Sequence, residues 1–129
     1  MSAKNIVKAF YDLDLSKKTD VISYFHKDCE ILWNSSKGQS IHSVNEIKVL
    51  LEELYKNYHS YTSRITHLLE DNGVVTARYT VYVTTIENPE KEDALAHFTT
   101  IWELKDNKLY RGYQISQLAE NDNINMISF

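Results

Sequence analysis

The chain has 129 residues, of which 43% are hydrophobic and 25% charged, as is typical of one globular domain. This balance excludes general disorder, and a net charge of -4 with a pI near 5.7 excludes a basic field that would gather nucleic acid. Three glycines and one proline stand against nine tyrosines, four phenylalanines and two tryptophans. Because tight turns need residues that accept positive φ, we predict few, long elements and an aromatic-rich interior or pocket.

The first residues and the single cysteine bear on location. Residues 1–8 lack the apolar core of a secretory signal, and no stretch approaches the roughly 20 apolar residues that cross a bilayer. Cys29 has no partner for an intrachain disulfide, and its neighbours Asp28 and Glu30 oppose thiolate formation. We therefore predict a cytoplasmic protein without a membrane partner, whose cysteine is a small residue entering a strand.

Helical signals mark three segments in the first half of the chain. Apolar residues recur at helical spacing over residues 3–14, and Thr19 is a candidate N-cap for a second, short helix. Ser43 and Glu46 form a capping box, in which each side chain can accept from the backbone amide of the other. A third helix of about four turns begins there, with an apolar stripe of Ile47, Leu50, Leu51, Leu54, Tyr55 and Tyr58.

Strands are predicted before and after this third helix. Residues 30–34 read as a strand and residues 35–39 as the turn that ends it. β-branched and aromatic residues then predict four long strands joined by short polar turns, at 60–69, 73–86, 93–104 and 109–118. Sequential strands with short joints imply an antiparallel meander, so the predicted fold is α+β, with helices gathered on one face of a curved sheet.

Two segments resemble those of a known family. They are QSIHSVNEI at residues 39–47 and IWELKDNKL at residues 101–109. Together with the element order they resemble the nuclear transport factor 2-like superfamily, and within it the SnoaL-like group, over residues 3–118. Ser43 and Asn107 stand where glycine is common in these motifs.

The resemblance implies a cone-shaped, cystatin-like fold. In that fold a curved antiparallel sheet wraps around three helices from the N-terminal half and leaves a pocket at the open end. Many members dimerise through the outer face of the sheet. We therefore predict a single nuclear transport factor 2-like domain over residues 1–118. Residues 119–129 form a polar C-terminal tail whose apolar residues are Met126, Ile127 and Phe129.

Fold does not assign an activity, because this superfamily holds isomerases, cyclases, epoxide hydrolases and proteins without catalysis. The isomerases move a proton with a carboxylate on the first strand, a position that falls at Trp33 or Asn34. Their second acid falls near Thr100, and their helix-one tyrosine falls near Phe10, beside Tyr11. With both carboxylates missing, isomerase chemistry of that type is not expected.

The other two catalytic patterns also lack their acids. The Arg-x-Asp pair of the epoxide hydrolases has its only counterpart at residues 78–80, which read Arg-Tyr-Thr. The cyclases place an aspartate at the end of the last strand, where residues 115–117 read Ile-Ser-Gln. The resemblance therefore supports the fold and a pocket more than a reaction.

Aromatic surface and neutral hydrogen-bonding groups remain in the predicted pocket. The parity of the isomerase strands turns Phe98, Thr100 and Trp102 inward and His97 outward. Core packing alone accounts for an inward aromatic residue more readily than for an inward polar one. Gln114 and Thr100 are therefore stronger candidates for ligand binding than the aromatic residues. Tyr79 or Tyr82 would add a further wall. The predicted ligand-binding residues are Trp33, Tyr61, Phe98, Thr100, Trp102, Gln114 and Ser116.

Two of the five histidines are candidates for catalysis. His67 and His97 are central in predicted strands, and with a tyrosine such as Tyr82 they would act as acid and base if they faced the cone. Facing outward, they would belong to a dimer interface, which the parity favours. No His-x-His or Glu-x-x-His spacing is present, so we predict neither a metal site nor a cofactor. His26 and His59 lie at predicted helix ends, where solvated imidazoles are usual, and His42 precedes the capping box, where we expect it only to cover the loop.

Three hypotheses of function follow. The leading one is a homodimer whose partly apolar, aromatic-lined pocket binds a small hydrophobic or aromatic ligand, with no catalysis demonstrated. The first alternative is a SnoaL-like cyclase or isomerase that uses His and Tyr as acid and base, which requires His67 or His97 inside the cone. The second is a dimerisation or partner-binding module, which requires a large exposed apolar patch.

Overall fold

A computed structural model describes residues 2–17 and 20–119. These residues form one six-stranded sheet with two α-helices and a single 3₁₀ turn. The elements are α1 (Ala3–Tyr11), the 3₁₀ turn (Val21–Tyr24), β1 (Phe25–Ser35), β2 (Gly38–Ser43), α2 (Val44–Asn57), β3 (Tyr58–Asp71), β4 (Val74–Thr85), β5 (Asp93–Lys105) and β6 (Lys108–Leu118).

The strand order across the sheet is β2-β1-β6-β5-β4-β3. Strands β3 to β6 form the predicted antiparallel meander. The expectation of a wholly antiparallel sheet is wrong, because the early strand β1 lies parallel to the last strand, β6, with Trp33 opposite Gln114. This pairing joins the two ends of the domain and brings residues of β1 beside those of β6 on the inner face.

The expectation of three helices is wrong, because the middle segment is only one 3₁₀ turn. Asp20 makes no side-chain cap there, and the chain enters β1 at Phe25. The predicted cap, Thr19, lies outside the described residues. Helix α1 also ends earlier than predicted, at Tyr11, and Asp12 is its C-cap. Neither helix in residues 2–17 and 20–119 is long and apolar enough to cross a bilayer.

The β1–β2 hairpin was not expected. Strand β1 runs to Ser35, and Gly38, at a φ of 109°, begins the returning strand. The sequence prediction ended the strand at Asn34, read residues 35–39 as a turn and placed no strand between that turn and the third helix. Four of the six residues of this edge strand are exposed, so it lacks the apolar alternation that marks a half-buried strand.

Asparagine and aspartate share the left-handed positions of the tight turns with glycine. Asn72 precedes Gly73 at a φ of 52°, and Asp106 and Asn107 turn between β5 and β6 at 53° and 59°. These two residue types tolerate the left-handed region better than other side chains do. The chain therefore makes its hairpins with few glycines, as expected for Asn107.

The predicted capping box is confirmed at the start of α2. Ser43 Oγ accepts from the Glu46 amide at 3.4 Å, and Glu46 Oε1 accepts from the Ser43 amide at 3.1 Å. From this start α2 runs along β1, β2 and β3. Its apolar stripe therefore covers part of the inner face of the sheet.

Helix α1 and the strands bury their apolar side chains against each other. In β5 the buried residues Ala96, Phe98, Thr100 and Trp102 alternate with exposed ones, which is the expected parity. Ala119 follows β6 and donates to the Leu95 carbonyl at 2.9 Å. The rest of the predicted tail, with Met126, Ile127 and Phe129, lies outside the described residues.

Candidate ligand-binding site

A cavity of about 160 Å³ lies between the inner face of the sheet and the two helices. Engineered apolar cavities of about 150 Å³ bind benzene, so this one has the size of a one-ring molecule. Helix α2 forms one wall with Ile47, Leu50, Leu51 and Leu54. Aromatic residues form most of the opposite walls: Phe10, Tyr11, Phe25, Trp33, Tyr61, Tyr79, Phe98 and Trp102.

The lining is apolar or neutral throughout. Among the described residues, those that line the cavity include no Asp, Glu, Lys, Arg or His. Its polar members are hydroxyls, an amide and indoles, the amide being that of Gln114. A charged ligand would lose its hydration on entering this cavity and would find no opposite charge there. The site therefore favours uncharged molecules.

A chain of hydrogen bonds runs beneath the cavity from α1 to β6. Trp102 Nε1 donates to the Tyr11 hydroxyl at 2.8 Å, and that hydroxyl lies 3.2 Å from the hydroxyl of Tyr79. Tyr79 in turn lies 3.0 Å from Thr100 Oγ1, which donates to Gln114 Oε1 at 3.0 Å. Every buried side-chain nitrogen and oxygen in the described part of the chain has a partner, so this polar chain is satisfied internally.

Burial keeps the phenols of the site protonated. It raises the pKa of Tyr11, Tyr61 and Tyr79 above the ordinary value of 10.0, because loss of water disfavours the phenolate. For Tyr11, hydrogen bonds with Tyr79, Trp102 and Thr100 oppose this shift in part. At neutral pH the three hydroxyls are therefore hydrogen-bonding groups and not bases.

A family model for the SnoaL-like domain matches residues 7–112. The chain belongs to this SnoaL-like family. It lies within the nuclear transport factor 2-like superfamily, so the resemblance expected from the sequence is confirmed. No curated protein sequence matches the chain.

Solved structures share the fold of this SnoaL-like domain. A proposed SnoaL-like polyketide cyclase from Shewanella denitrificans is 10% identical over 88% of this chain and 89% of that one, with a TM-score of 0.65. TerC, co-crystallised with polyporic acid, is 20% identical over 88% and 91%, with a TM-score of 0.60. An uncharacterised cystatin-fold protein from Novosphingobium aromaticivorans is 15% identical over 89% and 98%, with a TM-score of 0.63. At these identities the likeness shows the fold alone.

Most residues predicted to bind a ligand lie around the cavity of the SnoaL-like domain. Thr100 lies just beneath it, fully buried in the hydrogen-bonded chain. Ser116 does not line the cavity, but its hydroxyl accepts from Trp33 Nε1 at 2.8 Å and so holds the indole in place. The predicted residues that line the cavity are Trp33, Tyr61, Phe98, Trp102 and Gln114.

The residues proposed for catalysis lie elsewhere. His97 is exposed on the outer face, where its Nδ1 is 2.8 Å from Thr80 Oγ1, and His67 is exposed with its Nδ1 2.9 Å from Thr66 Oγ1. Tyr82 does not line the cavity either, and its ring lies 3.8 Å beneath the Arg64 guanidinium. The acid–base alternative therefore loses the residues on which it was built.

Sequence reasoning undervalued two tyrosines of the SnoaL-like domain. Tyr11 follows Val7 by one helical turn and so shares its buried face. Tyr79 stacks on its cross-strand partner Phe98, with ring centroids 5.2 Å apart and planes within 2°. The alternation of buried residues along β4 would have selected Tyr79 over Tyr82.

His42, which sequence reasoning treated as loop cover, stands beside the cavity wall. Its ring centroid lies 5.8 Å from that of Trp33. Its Nε2 is 2.9 Å from Ser40 Oγ, and its Nδ1 is 3.8 Å from Glu46 Oε2. Within residues 2–17 and 20–119 no group of three or more His, Cys, Asp or Glu side chains is arranged to hold a metal ion.

Proposed function

We propose that this SnoaL-like domain binds a small, uncharged molecule of about one aromatic ring in the cavity under α2. The observation that carries the proposal is an aromatic cavity of about 160 Å³ without a charged side chain among its described lining residues. Burying an apolar ligand surface there is favourable by about 25 cal/mol per Å². The protonated phenols and the missing carboxylates support binding rather than proton transfer.

A cavity-filling variant tests this proposal. Leu51→Trp on the lining face of α2 is expected to abolish the thermal stabilisation that one-ring ligands such as toluene confer. Glu53→Trp, on the exposed face of the same helix, is the matched control and should respond as the unmodified chain does. If no one-ring ligand raises the unfolding temperature, or if both variants respond equally, the cavity is not the binding site.

We also propose a homodimer through the outer face of the sheet. One cross-strand row on that face runs over all six strands and is almost wholly apolar. In the single chain its outermost members are well exposed, Ile41 at 60% and Leu69 at 63%. An apolar row of this extent supports an interface. In sheet order the row is Ile41, Leu32, Tyr113, Ile101, Thr76 and Leu69.

The two neighbouring rows support a second copy of the chain as the partner. One border row is acidic on balance and includes Glu30, Glu103 and Asp71 with a single Arg111, whereas the other contains Arg78 and no acidic residue. A two-fold axis along the apolar row would lay the acidic border of one copy over the basic border of the other.

Sedimentation equilibrium of Ile101→Lys tests the dimer. The variant is expected to be a monomer with an unchanged fold, while Glu87→Lys, in the exposed β4–β5 connection, should remain dimeric. A monomeric unmodified chain would overturn the dimer and favour the partner-binding module, since the apolar row would then lack an occupant.

A cytoplasmic location is also proposed, supported by the free, buried thiol of Cys29.

A further inference from the structure

The hydrogen-bonded chain beneath the cavity runs in one direction, starting from a group that can only donate. The indole Nε1–H of Trp102 donates to the Tyr11 hydroxyl. The Tyr11 hydroxyl in turn donates to the Tyr79 hydroxyl at 3.2 Å. Tyr79 already accepts there, and its proton goes to Thr100 Oγ1 at 3.0 Å or to Gln114 Oε1 at 3.5 Å.

This direction decides which end of the Gln114 amide faces the cavity. Thr100 donates to Gln114 at 3.0 Å, and the proton that arrives last in the chain needs an acceptor. Only the amide oxygen can accept it, since the amide nitrogen carries two protons and donates. The oxygen is therefore committed to the chain, and the NH₂ group of Gln114 is left for the cavity.

The amide nitrogen of Gln114 has no protein partner among the described residues, although no buried side-chain nitrogen there lacks one. It is therefore not fully buried, and Gln114 itself lines the cavity. Tyr61 and Ser63 also line the cavity, and their hydroxyls can rotate to donate or accept. The amide is thus the lining group whose polarity the fold determines.

We propose that the ligand carries an uncharged carbonyl, whose oxygen accepts a hydrogen bond from Gln114 Nε2 while its flat apolar body packs against the aromatic walls. This inference rests on the proposed binding function and adds the chemical class of the ligand. An anionic acceptor is disfavoured by the charge-free lining. Thr100 is a positioning residue, because it does not line the cavity and acts on the ligand through the orientation of Gln114. Trp102, Tyr11 and Tyr79 orient Gln114 through the same hydrogen bonds and also form part of the aromatic walls.

A matched pair of probes tests the carbonyl requirement. Acetophenone and α-methylstyrene have nearly the same shape, but one presents a C=O where the other presents a C=CH₂. The unmodified protein is expected to bind acetophenone about fivefold more tightly in calorimetric titration, as one neutral hydrogen bond provides. The carbonyl stretching frequency of the bound ketone should also fall, which reports the hydrogen bond independently of affinity.

Two substitutions assign the effect to the amide. Gln114→Met removes the donor with little change of shape, and Gln114→Leu is the second variant if the first folds poorly. Either should reduce the preference for the ketone to about onefold and abolish the frequency shift, because the hydrogen bond is lost. Binding of α-methylstyrene should persist, which shows that the cavity is intact. Ser63→Ala is the control and should keep the preference.

The outcomes separate this inference from the function on which it rests. If neither probe binds the unmodified protein, the proposed binding function fails and the carbonyl inference fails with it. If both probes bind equally, the binding function stands and the carbonyl inference is overturned. A preference that survives loss of the Gln114 amide, or that disappears in Ser63→Ala, would also overturn it, because another group would then be the donor.

Discussion

The two faces of β5 show how one strand serves two environments. On the inner face Thr100 and Trp102 are buried, and their polar atoms bond to the buried hydroxyls of Tyr79 and Tyr11. On the outer face Thr99 and Glu103 are exposed, and the apolar Ile101 between them is 39% accessible. The consequence of a substitution in this sheet therefore depends on strand parity more than on residue type.

Electrostatics differ between the faces in the same way. The cavity lining has no charged side chain among the described residues, whereas the outer side carries ion pairs such as Arg64–Glu92, both of whose side chains are exposed. Water screens such exposed pairs, so they contribute little to stability. The inner face resists charge, and the outer face accepts it at little cost outside the apolar row.

Adjacent threonines provide the strongest test of this contrast. Thr100→Lys buries an unpaired ammonium and should lower the free energy of unfolding by about 3 to 5 kcal/mol. Thr99→Lys puts the same charge on the outer face, where the change should stay within about 0.5 kcal/mol. Urea denaturation at one protein concentration measures both. Equal losses would contradict the inner and outer assignment of β5.

The close approach of β6 to Trp102 is the next point to test. A Cβ at Gly112 would lie 2.7 Å from the Trp102 ring, although the backbone of Gly112 is not in the left-handed region. Gly112→Ala should therefore cost about 1 to 3 kcal/mol by overpacking. In a Trp102→Phe background the added cost should be smaller, because the smaller ring leaves room. An undiminished cost there would assign the effect to the backbone instead.

Local sequence signals were sufficient for most elements. The capping box at Ser43 and the turn residues at 71–73 and 105–108 set the boundaries of α2 and the meander. The β1–β2 hairpin was not predicted because β2 is an exposed edge strand. Its consecutive polar residues Gln39 and Ser40 break the alternation of apolar and polar residues that marks a half-buried strand. The apolar residues around Val21 and Ile22 have helical spacing, but the segment forms only one 3₁₀ turn.

The residues of the site could be predicted from the sequence, but the hydrogen bonds between them could not. Inward parity selected Thr100 and Gln114, both of which the structure brings together. The direction of their hydrogen bonds depends on Tyr11 of α1 docking beside Tyr79 and Trp102, which lie 68 and 91 residues further along the chain. No local pattern reports such contacts, since tertiary packing alone creates them.

A smaller effect separates the stability of α2 from the cavity that it covers. Ser43→Ala removes the N-cap hydroxyl and should cost about 1 kcal/mol, while Ser43→Asp should retain the cap. Because the Ser43 side chain does not line the cavity, binding of one-ring ligands should be unchanged in both. Thermal denaturation with and without ligand measures the two quantities. A loss well above this value would show that Ser43 does more than cap the helix.

The smallest expected effect concerns Cys29, whose ionisable thiol is buried in the core. Burial raises the pKa of the Cys29 thiol from 9.0 to about 12, with Arg111 opposing the shift and Glu30 adding to it. Above pH 9 the thiol is largely deprotonated in the unfolded chain, whereas the thiol of the folded chain retains its proton. The unfolded state then binds fewer protons, so stability falls as pH rises from about 9 toward 12.

Comparison with Cys29→Ala isolates this contribution, since the buried tyrosines are the same in both chains. Relative to the variant, the unmodified protein should lose about 0.8 kcal/mol of unfolding free energy between neutral pH and about pH 9.5. Urea denaturation at the two pH values measures the difference. If the two chains respond alike, the thiol ionises as readily in the folded state as in the unfolded one, and the protection that burial confers on the inner face does not extend to β1.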